Sequence, residues 1–134
     1  GAYFLGAMAA GIAVVLPERN DEISPFSSML IIIYPFYELV RSTTRRIVAK
    51  GYQALEPDDK HLHSMIYKLI SSRVSMTKPF QNSFAAVLVL ILPMLCCFWA
   101  VTFANERSFL ISGIFAFILL YEMSMMLVVN SNNA

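Results

Sequence analysis

The chain has 134 residues, of which 57% are hydrophobic and 14% charged, whereas a water-soluble domain carries nearer about a quarter charged residues. Its net charge is only +1, yet Arg41, Arg45, Arg46, Lys50, Lys60, Lys68, Arg73 and Lys78 all fall in one polar stretch, and Arg19 and Arg107 alone lie elsewhere. That segregation is unlike the basic stripe of a nucleic-acid binder and counts against that class, while the length allows one domain at most.

The first apolar run covers residues 1–16, with Gly6 and Gly11 among alanines. No basic region precedes it, so it does not read as a signal peptide. A bilayer crossing needs about 20 residues, and the expectation is that a further turn lies upstream and that the chain is the C-terminal part of a longer protein. Small residues let helices approach closely in lipid, which predicts that this span packs inside a bundle. Pro17-Glu18-Arg19-Asn20-Asp21-Glu22 reads as a short polar turn.

A second span covers residues 24–40. Pro25 suits a first helical turn, Ser24 is a candidate cap, and Pro35 predicts a kink. No breaker follows until Gly51, so the helix is expected to continue past the apolar segment. Glu38, Arg41 and Arg45 then share one face, where Glu38 would pair with Arg41.

Residues 41–83 form the polar loop, with both histidines in it. From Pro57 onward, Leu62, Met65, Ile66, Leu69 and Ile70 repeat at helical spacing. This predicts an amphipathic helix of about 14 residues with Asp58 or Asp59 near its N-terminus. Too short to span, it would lie at the membrane interface or fold back on the bundle.

The third span covers residues 84–104 with Pro93 inside it, Asn105-Glu106-Arg107-Ser108 is a turn, and the fourth span covers residues 109–129, before the polar tail Asn130-Ser131-Asn132-Asn133-Ala134. The adjacent Cys96 and Cys97 read as small apolar fillers, since neighbouring cysteines make poor disulfide geometry. Met123, Met125 and Met126 read as packing material. Glu122 is an acid deep in an apolar span, and such acids face a bundle interior or a polar partner. The fold class is therefore all-α: a polytopic transmembrane helix bundle of four spans with a cytoplasmic amphipathic helix. The positive-inside rule places loop 41–83, the chain start and the C-terminus in the cytoplasm, and the two short turns outside.

His61 and His63 are two apart, which points them roughly 200° from each other on a helix. Two histidines with no cysteine nearby fall short of a zinc site. The reading favoured is binding of an anionic substrate, against interfacial histidines with no role. Arg45-Arg46 has two open readings, a juxtamembrane anchor on anionic lipid or a phosphate clamp built on the planar guanidinium fork.

Taken in order, Gly1-Ala2-Tyr3-Phe4-Leu5-Gly6, Ser24-Pro25, Tyr34-Pro35-x-x-Glu38, Arg45-Arg46 and Pro57-Asp58-x-x-His61-Leu62-His63 resemble the C-terminal half of the polyprenyl-phosphate N-acetylhexosamine-1-phosphate transferases, the MraY/WecA group or family 4 glycosyltransferases. The resemblance is closer to the WecA-like bacterial branch. It covers roughly residues 1–73, and the last two spans match only in number and position. Such enzymes are inner-membrane proteins that move a sugar-1-phosphate from a UDP-sugar to undecaprenyl phosphate for cell-envelope polysaccharide synthesis, releasing UMP and using magnesium at a cytoplasmic active site.

By resemblance, His61, His63 and Asp58 belong to the nucleotide-sugar site, and Arg45 and Arg46 neutralise substrate phosphates. The sequence departs from the family at Ser64, where many members have a third histidine, and at Asp59, where the usual residue is Arg, with Lys60 following. The resemblance also implies that the Mg2+ ligands, including a paired aspartate, lie in an N-terminal half outside this fragment, so no metal ligand is assigned here and the fragment alone is expected to be inactive. The partners implied are a UDP-sugar, a polyprenyl phosphate lipid, the membrane and the missing half of the same protein; a second copy of the chain is also a candidate, and nucleic acid is not. The alternative class is a fragment of a polytopic transporter or channel, with Glu122 and kinked helices lining a pathway; a non-catalytic membrane scaffold is the third.

Overall fold

A computed structural model describes residues 2–50 and 61–133, with side chains over 4–48 and 61–132. Among the described residues there are six helices and no strand: α1 (Ala2–Arg19), α2 (Pro25–Ile31), α3 (Ile33–Lys50), α4 (Leu62–Arg73), α5 (Lys78–Thr102) and α6 (Arg107–Asn133). Two of them, α5 and α6, are long and apolar enough to cross a membrane. At about 1.5 Å per residue each runs to nearly 40 Å, more than the roughly 30 Å hydrocarbon core. Against the expectation of four spans, two helices among the described residues have spanning length and composition.

Element boundaries differ from the expectation in instructive ways. α1 carries Pro17 inside the helix and ends at Arg19; a proline near a helix end forfeits one backbone bond without stopping the last turn. The second apolar run is two helices, not one kinked helix. Pro35 lacks an N–H and its ring crowds the carbonyl four residues back, at Ile31. The break falls beside that carbonyl, at Ile32, whose backbone turns to φ −95°, ψ 6°. Ser24 precedes Pro25 in an extended conformation but makes no side-chain cap bond; its backbone N–H donates instead to the Ala104 carbonyl at 2.9 Å. α3 continues through the polar residues to Lys50, as the lack of a breaker predicts. α5 starts six residues before the expected Phe84, and α6 absorbs Arg107 and most of the tail.

The chain divides into two compact units. One comprises Gly1–Tyr34 and Leu92–Leu119. Its core includes Leu30, Cys96, Ala100, Leu110 and Phe117, and Ser27 Oγ donates to the Ala100 carbonyl at 3.0 Å, tying α2 to α5. A Cβ placed on Gly113 would lie 2.8 Å from Trp99 Cδ1 and 3.1 Å from Leu30 Cδ2, so only glycine admits this approach. Trp99 Nε1 donates to the Phe109 carbonyl at 2.9 Å, and Phe103 stacks between the Trp99 and Phe109 rings. The expectation that Gly6 and Gly11 mark a packed span is not met: α1 packs on α2, but a Cβ on either glycine meets nothing within 4 Å. Phe4, Leu5, Ile12 and Val14 stay exposed.

The other unit comprises Pro35–Ile91 and Leu120–Ala134. Its core includes Leu62, Ile70, Ala85, Val89, Tyr121 and Met125. Of the two placements open to the amphipathic helix, α4 takes the folded-back one. Arg73 Nη2 donates to the Ser131 carbonyl at 2.9 Å, Asn132 Nδ2 donates to the Met65 carbonyl at 3.3 Å, and Gln81 Nε2 donates to the Val74 carbonyl at 3.0 Å. The Ser131 and Val74 oxygens stand at helix C-termini, where intrahelical partners run out.

Candidate functional site around Glu38 and His61

The polar groups converge in the second unit, where α3, α4 and the last part of α6 meet. α3 supplies Tyr37, Glu38 and Arg41 from consecutive turns of one helix. α6 supplies Tyr121 and Glu122, and the start of α4 supplies His61 and Leu62.

Glu38 is the hub. Its side chain is 13% exposed, too buried to leave a charge without partners. Oε1 accepts the Leu62 backbone N–H at 3.1 Å, and Oε2 lies 2.9 Å from His61 Nδ1. One carboxylate thereby satisfies an orphan N–H of α4 and orients the imidazole that precedes it. This is an N-cap in function, supplied by another helix: His61 has the extended cap conformation but makes no cap bond of its own. A carboxylate only accepts, so Nδ1 carries the proton, and in the neutral ring Nε2 is left as the acceptor. The Tyr121 hydroxyl is a further neighbour of Glu38.

Arg41 does not pair with Glu38. Its Nε donates to Glu122 Oε1 at 2.8 Å and its Nη2 to Oε2 at 3.4 Å, while the Tyr37 hydroxyl donates to Oε1 at 2.9 Å. The guanidinium also sits 5.7 Å from the Tyr121 ring centroid, and the Tyr37 and Tyr121 rings meet edge-on at 4.9 Å. Partial burial works against the Arg41 charge, but the hydrogen bond and carboxylate of Glu122 outweigh it and raise its pKa above the ordinary arginine value. The i, i+3 pairing expected within α3 thus gives way to a partner 81 residues away, and Glu122 has the polar partners that an acid in an apolar helix requires.

The remaining site residues are placed less centrally. His63 Nε2 lies 3.1 Å from Asn82 Oδ1 near the start of α5, so the two histidines take different partners, with His61 in the extended cap conformation rather than on the helix. Arg45 joins Arg41, Tyr37, Val40, Thr44 and Val48 around a groove of about 550 Å³ on α3; Arg46, one residue on, is not among its lining residues. The groove combines aliphatic wall with guanidinium. Asp58 lies outside the described residues. Among the described residues, no three His, Cys, Asp or Glu side chains converge into a set able to hold a metal ion, so they do not form a magnesium site by themselves. Cys96 is buried and Cys97 half-buried, and both are free thiols.

No protein-family model, curated protein or solved structure matches the chain at a significant level.

Proposed function

We propose that the chain is part of a membrane phosphoglycosyl transferase that moves a sugar-1-phosphate, N-acetylhexosamine-1-phosphate by resemblance, from a UDP-sugar to undecaprenyl phosphate with release of UMP. The observation that carries this reading is the Glu38 carboxylate. It bridges two of the segments on which the resemblance rests, Tyr34-Pro35-x-x-Glu38 and His61-Leu62-His63, at hydrogen-bond distance on both oxygens. Two motifs 23 residues apart meeting through one partly buried acid is what a shared site requires and what two unrelated surface motifs would not need.

In this reading His61, held by Nδ1, presents Nε2 to a phosphate oxygen of the UDP-sugar, which it can engage as a donor when protonated. His63 and Asp58 belong to the same loop. Arg45 and Arg46 neutralise phosphate charge, Arg45 from a groove whose aliphatic residues suit a lipid-borne phosphate. The described residues offer no magnesium cradle, and none of these roles uses one; the ligands for Mg2+ would come from an N-terminal half of the protein. The protein would sit in a bacterial inner membrane, with loop 41–83 and the C-terminus on the cytoplasmic face. The transporter or channel alternative has Glu122 and kinked helices lining a pathway, and the engagement of Glu122 by Arg41 and Tyr37 speaks against that role for it.

Substituting His61→Ala and His63→Ala in the full-length parent tests the proposal. Loss of a charge-assisted hydrogen bond should lower UMP release from a UDP-N-acetylhexosamine by roughly 10- to 100-fold for each variant, with membrane insertion unchanged. Wild-type turnover in both variants would remove the assignment.

A further inference from the structure

We propose that Glu122 is a positioning residue: by holding Arg41 it keeps Glu38 available to cap α4 and orient His61. Glu122 is the observed partner of Arg41, and helical spacing puts Glu38 on the same face of α3. Arg41 stands one turn beyond Glu38 on α3, the i, i+3 spacing at which an acid and an arginine pair readily. Yet Arg41 makes its bonds to Glu122, two guanidinium nitrogens facing the two carboxylate oxygens, and Tyr37 adds a third donor to that carboxylate. Glu38 is left to accept from Leu62 N–H and His61 Nδ1.

α6 enforces this sorting with two consecutive residues. The Tyr121 ring lies beside the Arg41 guanidinium, and its hydroxyl neighbours Glu38. Glu122 takes the cation. Remove the Glu122 charge and Arg41 is a cation in a half-buried site, with an acid one turn back on its own helix. Glu38 is that acid, and a carboxylate drawn toward Arg41 gives up geometry at Leu62 and His61. The sorting depends on the transferase reading only in treating His61 as the group that matters, and the readouts below use no substrate, so failure of either idea shows separately.

The experiment compares Glu122→Gln, Arg41→Gln and the double variant Arg41→Gln/Glu122→Gln in the full chain in detergent micelles. It follows the Leu62 amide by hydrogen exchange and the His61 ring by nitrogen-15 chemical shift, with helical content checked by circular dichroism. In Glu122→Gln, Leu62 exchange should accelerate by roughly tenfold or more, and the His61 Nδ1 resonance should move. The double variant, with no cation left to compete, should return Leu62 to within about threefold of the parent. Arg41→Gln alone should likewise keep Leu62 protected, and it decides the matter if Glu122→Gln does not fold. A mere tie between α3 and α6 predicts the opposite: the double variant and Arg41→Gln would be as exposed at Leu62 as Glu122→Gln. That result, or an unchanged Leu62 in folded Glu122→Gln, overturns the proposal.

Discussion

Glu38 shows how one side chain can set both a helix start and a ring orientation. Its two oxygens serve a backbone donor and an imidazole, and these functions separate on substitution. Glu38→Gln retains an oxygen for Leu62 N–H but loses the charge that holds His61. Glu38→Ala loses both acceptors and leaves the α4 N-terminus without its cap. Hydrogen bonds to a charged group contribute about 1.5–3 kcal/mol each, so Glu38→Ala should destabilise α4 docking by roughly 2–4 kcal/mol, and Glu38→Gln by less. Thermal unfolding in detergent micelles, followed by circular dichroism, gives the order; equal loss in both variants would mean that the charge, not the cap, dominates. The residue types at this site were legible in the sequence, because Glu38 and Glu122 stand out from apolar runs and both histidines fall in the one long polar stretch. Their pairing was not. Local spacing favours Arg41 for Glu38, and nothing in a one-dimensional pattern reveals that α6 brings Glu122 to Arg41 from 81 residues away.

Helices in this chain stop and approach where backbone chemistry allows, and the glycines illustrate it. Gly6 and Gly11 sit among alanines, the company of a close-packing surface, yet a Cβ on either would meet nothing within 4 Å. Gly113, in the middle of an ordinary-looking apolar run, is the one on which packing depends, because the Trp99 ring and the Leu30 side chain occupy the space a Cβ would need. Trp99 cannot swing aside freely, since its Nε1 is fixed on the Phe109 carbonyl and Phe103 stacks against it. Gly113→Ala should therefore cost about 1–3 kcal/mol, the range for overpacking a filled core. The same change at Gly6 or Gly11 should be neutral or slightly stabilising, because alanine is the better helix former. Melting temperatures of the three variants test this, and a tolerated Gly113→Ala would show that α2, α5 and α6 can part without loss. Apolar runs and helical spacing located the helical segments among the described residues, but proline geometry led to an expected kink at Pro35 where the chain breaks into α2 and α3. Which small residue faces a neighbour depends on how helices are rotated about their axes, and a span of uniformly apolar residues carries no record of that rotation.

For the whole chain, the question that matters most is which end of α5 and α6 faces the cytoplasm, and the charge distribution bears on it however many helices cross. Lys68, Arg73 and Lys78 cluster before or at the start of α5, and the connection between α5 and α6 offers Arg107 alone. The positive-inside rule then supports the proposed topology, with loop 41–83 and the chain end inside and the 103–106 turn outside. The same orientation follows whether α1, α2 and α3 form two additional spans or α5 and α6 are the crossing pair. Cytoplasmic placement of His61 is also what a UDP-sugar demands, because a charged nucleotide does not cross the bilayer unaided. Single cysteines at exposed Ser71 and Glu106, in a background with Cys96→Ala and Cys97→Ala, provide the test in intact bacterial cells. Ser71→Cys should react with a membrane-impermeant maleimide only after lysis, while Glu106→Cys should react in whole cells. The reverse pattern would put the histidine loop on the wrong side of the membrane for a cytoplasmic sugar nucleotide, and the transferase proposal would fall with it.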